Sequence, residues 1–75
     1  MVFEKLKDIL VSNFDLDDYE VVPEASLSMD LDMDELDFWD IVMDIEEVFE
    51  IEFTAEFDYR KVTVGDIVKF IEENI

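Results

Sequence analysis

Carboxylates are the only side chains abundant enough in this sequence to suggest chemistry. Asp and Glu number 23 against five Lys and Arg, a formal charge of −18 over 75 residues. One run, Asp30-Leu31-Asp32-Met33-Asp34, fills the first, third and fifth positions of a calcium-binding EF-hand loop. Such a loop then needs Gly at its sixth position and a bidentate Glu at its twelfth, where this chain has Glu35 and Ile41. No specific metal site is expected, only weak, charge-driven association with Ca²⁺ or Mg²⁺. Paired carboxylates do acid–base work when a walled, desolvated pocket drives their pKa values apart; strung along exposed helix faces they are a solvated surface. His and Cys are both absent. Their absence removes the commonest general base and metal ligand, and with it thiolate nucleophiles, zinc–thiolate sites and disulfides. There is no glycine-rich phosphate loop and no Ser-His-Asp set. The residue types point away from an enzyme.

The same charge bounds the partners. It repels the phosphates of nucleic acids and of anionic membranes, so neither is an expected ligand. It favours basic protein surfaces and speeds encounter with them. Charge of this size usually keeps a chain unfolded, but 51% of the residues are hydrophobic, seven of them Phe. One folded domain over residues 1–75 is expected, burying about 60% of the unfolded surface and helped by salt against its own field. No apolar run approaches a membrane span, and the N-terminus lacks the layout of a signal peptide. A cytoplasmic monomer is the expectation.

Three segments carry the period of an α-helix. The first is Val2–Phe14, with Phe3, Leu6, Ile9 or Leu10, and Phe14 on one face. The second is Glu35–Phe49. The third is Val64–Asn74, with Val64, Ile67, Val68 and Ile71 in one stripe and Thr63 and Asp66 placed as a capping box. Ala55–Arg60, capped by Thr54, reads as a short fourth helical turn. Between the first two helices some twenty residues, Asp15–Asp34, show no periodicity. A structureless loop that long is uncommon in a small domain, so Leu16, Val21, Val22, Leu27 and Leu31 are expected to tie it to the core as an ordered crossover.

On a helical wheel at about 100° per residue, the second helix has two apolar faces. Phe38, Ile41, Val42, Ile45, Val48 and Phe49 share one arc and form the core face. Leu36, Trp39 and Met43 fall on the opposite side. They are flanked by Asp40, Asp44 and Glu47, and on the other side by Glu35 and Glu46. A loop or short helix could cover this second stripe. Left bare, it is a docking face, with apolar anchors and carboxylates that steer a basic partner.

The stretch from Leu31 to Phe49 resembles the central motif of acyl carrier proteins, written L-G-x-D-S-L-D-x-x-E-L-V-x-x-L-E-E-x-F. The likeness extends to a first helix ending near Phe14, to Ala25-Ser26-Leu27 and to Thr63-Val64-Gly65-Asp66. The resemblance implies an all-α fold, a four-helix bundle with a long crossover loop after the first helix. It also implies docking through Asp34, Leu36, Asp37, Asp40, Met43, Glu46 and Glu47, with Trp39 bulkier than the aliphatic residue usual at its position. In that family the Ser after the motif Asp carries 4′-phosphopantetheine. Here Asp34 and Leu36 match their positions, but Glu35 stands between them. A carboxylate cannot form that phosphodiester, so no cofactor is expected. Ser26 matches a structural position of the family and Ser28 matches none. The motif Gly is Asp32, which tolerates left-handed backbone at a local cost.

The expectation is an acyl-carrier homologue of fatty-acid or polyketide-type metabolism. It would keep the acidic docking helix, bind basic surfaces of acyl-metabolism enzymes or related subunits, and remain uncharged with the arm. Two alternatives stay open: an ordinary carrier in which Glu35 was introduced for Ser, or an acidic inhibitor that occupies a basic groove.

Overall fold

Three α-helices and one 3₁₀ turn make up the regular structure of the computed structural model, which describes residues 1–75. Helix α1 is Val2–Phe14, the 3₁₀ turn is Asp18–Glu20, α2 is Glu35–Phe49 and α3 is Val64–Asn74. The all-α class, the three helical spans and the long crossover are those the sequence predicts. The short fourth helical element lies elsewhere: it is the 3₁₀ turn inside the crossover, and no helix forms over residues 55–60.

The core explains the helix faces. Fifteen residues are buried and every one is apolar. Leu6 and Leu10 come from α1, Phe38, Ile41, Val42 and Ile45 from α2, and Val64, Ile67 and Ile71 from α3. Phe3, Phe14, Phe49 and Val68 pack against this set while only partly buried. Val48 leaves the expected core face and is 48% exposed. It sits at the edge of the apolar arc on the last turn of α2, where the helix runs past the core.

The crossover is ordered by burial and by backbone pairing. Val21, Ala25, Leu27, Leu31 and Met33 are buried and Leu16 packs against them, whereas Val22 turns outward. Ser26 and Thr63 form an isolated antiparallel bridge. Around it Leu27 N–H donates to the Val62 carbonyl at 3.2 Å, Val64 N–H to Ala25 at 3.0 Å and Gly65 N–H to Pro23 at 2.8 Å. The bridge seats the start of α3 on the crossover. Gly65 permits that seating, because a Cβ there would lie 3.0 Å from the Pro23 carbonyl oxygen.

Residues 51–58 carry neither helix nor strand. Glu50 ends α2 in left-handed geometry, at φ 55°. Beyond it burial alternates residue by residue: Ile51, Phe53, Ala55, Phe57 and Tyr59 are half-buried, and Glu52, Thr54, Glu56, Asp58 and Arg60 are exposed. That is the period of an extended chain lying on the core. Helix propensity at Ala55 and Glu56 is weak beside three aromatic rings that all need the same apolar surface. Phe53 anchors the run, with its ring centroid 4.8 Å from that of Phe70 and 6.3 Å from that of Phe38.

A candidate docking face on the second helix

Asp34 begins the site. Its carboxylate accepts the Asp37 backbone N–H at 2.9 Å, and the Asp37 carboxylate accepts the Asp34 N–H at 3.2 Å. This reciprocal pair satisfies two of the amides that a helix start leaves without partners. Both acids also lie at the positive end of the helix dipole.

The aspartate run before α2 divides into separate structural roles. Asp30 accepts the Ser26 N–H at 2.7 Å and closes a turn. Asp32, at the position where the resemblance has a Gly, holds left-handed geometry at φ 55°. Asp34 caps the helix. No group of three acidic side chains gathers into a metal-ligand set. The Ser26 hydroxyl accepts the Met29 N–H at 3.1 Å within that turn, which agrees with a structural role for this serine.

Farther along α2, two more acids hold neighbouring segments. Asp44 accepts Asn13 Nδ2 at 2.6 Å and ties α2 to the end of α1. Glu46 accepts the Phe53 N–H at 2.9 Å and pins the extended run. Glu35, Asp40 and Glu47 are exposed and engage no hydrogen-bond partner. The ten predicted docking residues thus fall into four with structural partners, three free carboxylates and three apolar side chains.

Those three are the outer stripe. Leu36 is 75% exposed, Trp39 53% and Met43 59%. Neither the crossover nor the 51–58 run covers them. Trp39 is braced from beneath, its ring in edge contact with Phe38 at 5.6 Å. A shallow groove of about 270 Å³ between α1 and α2 continues the stripe, lined by Asn13, Phe14, Asp40, Met43 and Asp44. Asn13 and Phe14 extend the face beyond the sequence prediction. Phe14 reads there as a core residue, and only the packing of α1 on α2 brings it beside Met43.

The match to a family model for the phosphopantetheine attachment site spans residues 4–71, nearly the whole chain. The chain belongs to the acyl carrier protein family. It is 38% identical over 73 residues to an acyl carrier protein of Helicobacter pylori, covering 97% of this chain and 94% of that protein. It is 42% identical over 73 residues to an acyl carrier protein of Lactococcus lactis subsp. cremoris, covering 97% and 96%. A Streptococcus pneumoniae acyl carrier protein is 42% identical over 72 residues, covering 96% and 93%. Acyl carrier proteins are carriers and not enzymes, as the absence of a catalytic set in the sequence predicts. No helix of the chain is long and apolar enough to cross a membrane.

The resemblance puts Glu35 where the family attaches phosphopantetheine, and a carboxylate does not fit that group. A phosphopantetheine arm is held through a hydroxyl oxygen. The first residue of α2, directly after the Asp34 cap, is Glu35. Its exposed carboxylate offers no hydroxyl from which to build the phosphodiester.

Proposed function

We propose that this acyl-carrier-family protein acts as an uncharged docking module of acyl metabolism, recognised by basic enzyme or subunit surfaces without carrying an acyl arm itself. The observation that carries this reading is the contrast between neighbouring residues at the start of α2. Glu35 stands where the resemblance places the attachment Ser, while Leu36, Trp39 and Met43 remain bare beside free carboxylates. The carboxylate of Glu35 keeps negative charge at the helix N-terminus, where the dipole favours it. In this role Leu36, Trp39 and Met43 enter apolar pockets on the partner. Asp40, Glu47 and Glu35 steer and orient it. Asp34, Asp37, Asp44 and Glu46 contribute charge while holding the helix in place. The cytoplasm and a monomeric state belong to the same proposal.

Intact mass spectrometry after incubation with coenzyme A and a broad-specificity phosphopantetheinyl transferase tests it. The mass of the wild-type chain stays unchanged, and the Glu35→Ser variant gains one phosphopantetheine. A gain on the wild-type chain would sink the proposal and direct attention to Ser26 and Ser28.

A second reading is favoured by the near-full-length identity to proteins named acyl carrier protein. It is an ordinary carrier in which Glu35 stands in place of the natural Ser. Sequencing the natural gene separates the two readings: a Ser codon at position 35 supports the ordinary carrier, and a Glu codon supports the docking module.

A further inference from the structure

Ile51–Asp58 is the longest stretch of the chain with no helix, turn, bend or bridge, and from Glu52 to Phe57 its backbone is almost entirely unpaired. From Glu52 to Phe57 a single hydrogen bond reaches a backbone group, Phe53 N–H to Glu46. The inward side chains of Ile51, Phe53 and Phe57 fix this run on the core. In an extended chain successive backbone groups point to opposite sides. With Phe53 directed toward α2, the N–H and carbonyl groups of Glu52, Thr54 and Glu56 form the other edge, and none of them has a protein partner. A pinned, extended, unpaired edge is the template that strand addition uses.

We infer that this edge receives an extended peptide of alternating basic and apolar residues as an added strand. The alternation follows from the side chains flanking the new strand. On its outer face an added strand would lie beside Glu52, Thr54, Glu56 and Asp58, and on its inner face beside Phe53, Ala55 and Phe57. Opposite charges paired across strands stabilise a sheet and like charges destabilise it. The acidic outer row therefore selects Lys or Arg on one face of the peptide, while the aromatic inner row selects aliphatic residues on the other. A second copy of this chain is the wrong occupant, because its own acidic row would face this one. The inference uses none of the outer α2 residues and does not rest on the docking role of that helix.

The test uses the full chain, ¹⁵N-labelled, with a synthetic peptide of alternating Lys and Val long enough to span Ile51–Asp58. The same peptide methylated at every backbone nitrogen, of equal charge and with no N–H to donate, is the control. The Lys-Val peptide slows amide exchange at Glu52, Thr54 and Glu56, and the N-methylated peptide does not. Thr54→Pro weakens Lys-Val binding about tenfold, the loss expected for a hydrogen bond or two. The Thr54 N–H donates no internal bond, so the melting temperature holds. If that variant fails to fold, Glu52→Lys with Glu56→Lys supplies the same loss of binding. Trp39→Ala leaves peptide binding unchanged, which separates this edge from the α2 face. Equal binding of the two peptides, exchange protection confined to α2, or edge amides already protected by self-association would each overturn the inference.

Discussion

The carboxylates of Asp34 and Asp37 accept each other's backbone N–H, at 2.9 and 3.2 Å respectively, and this reciprocal pair starts the helix that bears the proposed docking face. Both acids thus have a structural role before any partner arrives. Asp34→Ala is expected to cost about 1 kcal/mol, the usual loss for an N-cap, and Asp34→Ser much less. Chemical denaturation of the two variants checks the difference. Equal losses would mean that charge, and not capping geometry, is what Asp34 contributes.

Trp39 and Phe53 are expected to separate the proposed docking role from stability. Trp39 is more than half exposed, so Trp39→Ala leaves the melting temperature within a few degrees and weakens capture of a basic acyl-metabolism enzyme in a titration. Changing Asp40 and Glu47 to Lys does the same. Phe53→Ala removes the ring that joins Phe38, Phe57 and Phe70. Its expected cost is about 2 kcal/mol, below the range for a fully buried ring because Phe53 is only partly buried. Unchanged partner affinity in Trp39→Ala would remove that residue from the docking face.

Glu50 ends α2 with left-handed backbone and a negative charge at the negative end of the dipole. Both features are unfavourable. Glu50→Gly relieves both, and a gain of about 1 kcal/mol is expected on thermal melting. Asp32→Gly gains less, because Asp accepts φ > 0 more readily than Glu.

Gly65 behaves in the opposite sense. Alanine adds helix propensity worth up to about 1 kcal/mol, but its methyl would meet the Pro23 carbonyl oxygen at 3.0 Å. That oxygen is backbone, held by the Gly65 N–H itself at 2.8 Å, so it cannot swing aside. Overpacking of this kind costs about 1–3 kcal/mol and outweighs the gain. Gly65→Ala is therefore expected to melt about 5 °C lower. A higher melting temperature would show that the crossover yields.

Salt acts on the whole surface. The structure has one ion pair, Arg60 with Asp58 at 3.3 Å, against 23 acidic residues. Screening the remaining repulsion is expected to raise the melting temperature by about 5 °C between low and molar NaCl, equivalent to about 1 kcal/mol. A flat salt profile would mean that the field costs the fold little.

The helices were legible because each carries a full apolar stripe and, for α3, a Thr63–Asp66 capping box that the structure reproduces. The bare stripe of Leu36, Trp39 and Met43 was legible for the same reason, since a helix with two apolar faces can bury only one against a single core. The run after α2 was misread from Ala55 and Thr54, which suggest a capped turn. Its period-two signal, from Ile51 through Arg60, was present in the sequence and was the stronger one. The structural roles of Asp44 and Glu46 were not legible. They depend on Asn13 and Phe53, thirty-one and seven residues away, and only the packed fold brings those groups together.

Glu35 sits at the first position of α2, exposed, with no hydrogen bond from its side chain and no share in the cap. The interior contains no polar group that depends on it. On the proposed reading, the residue that decides between carrying and merely binding is thus one on which neither the core nor the cap depends. Cargo and recognition are then separately heritable: one exchange at position 35 removes the attachment point and leaves the bare stripe of Leu36, Trp39 and Met43 as it was.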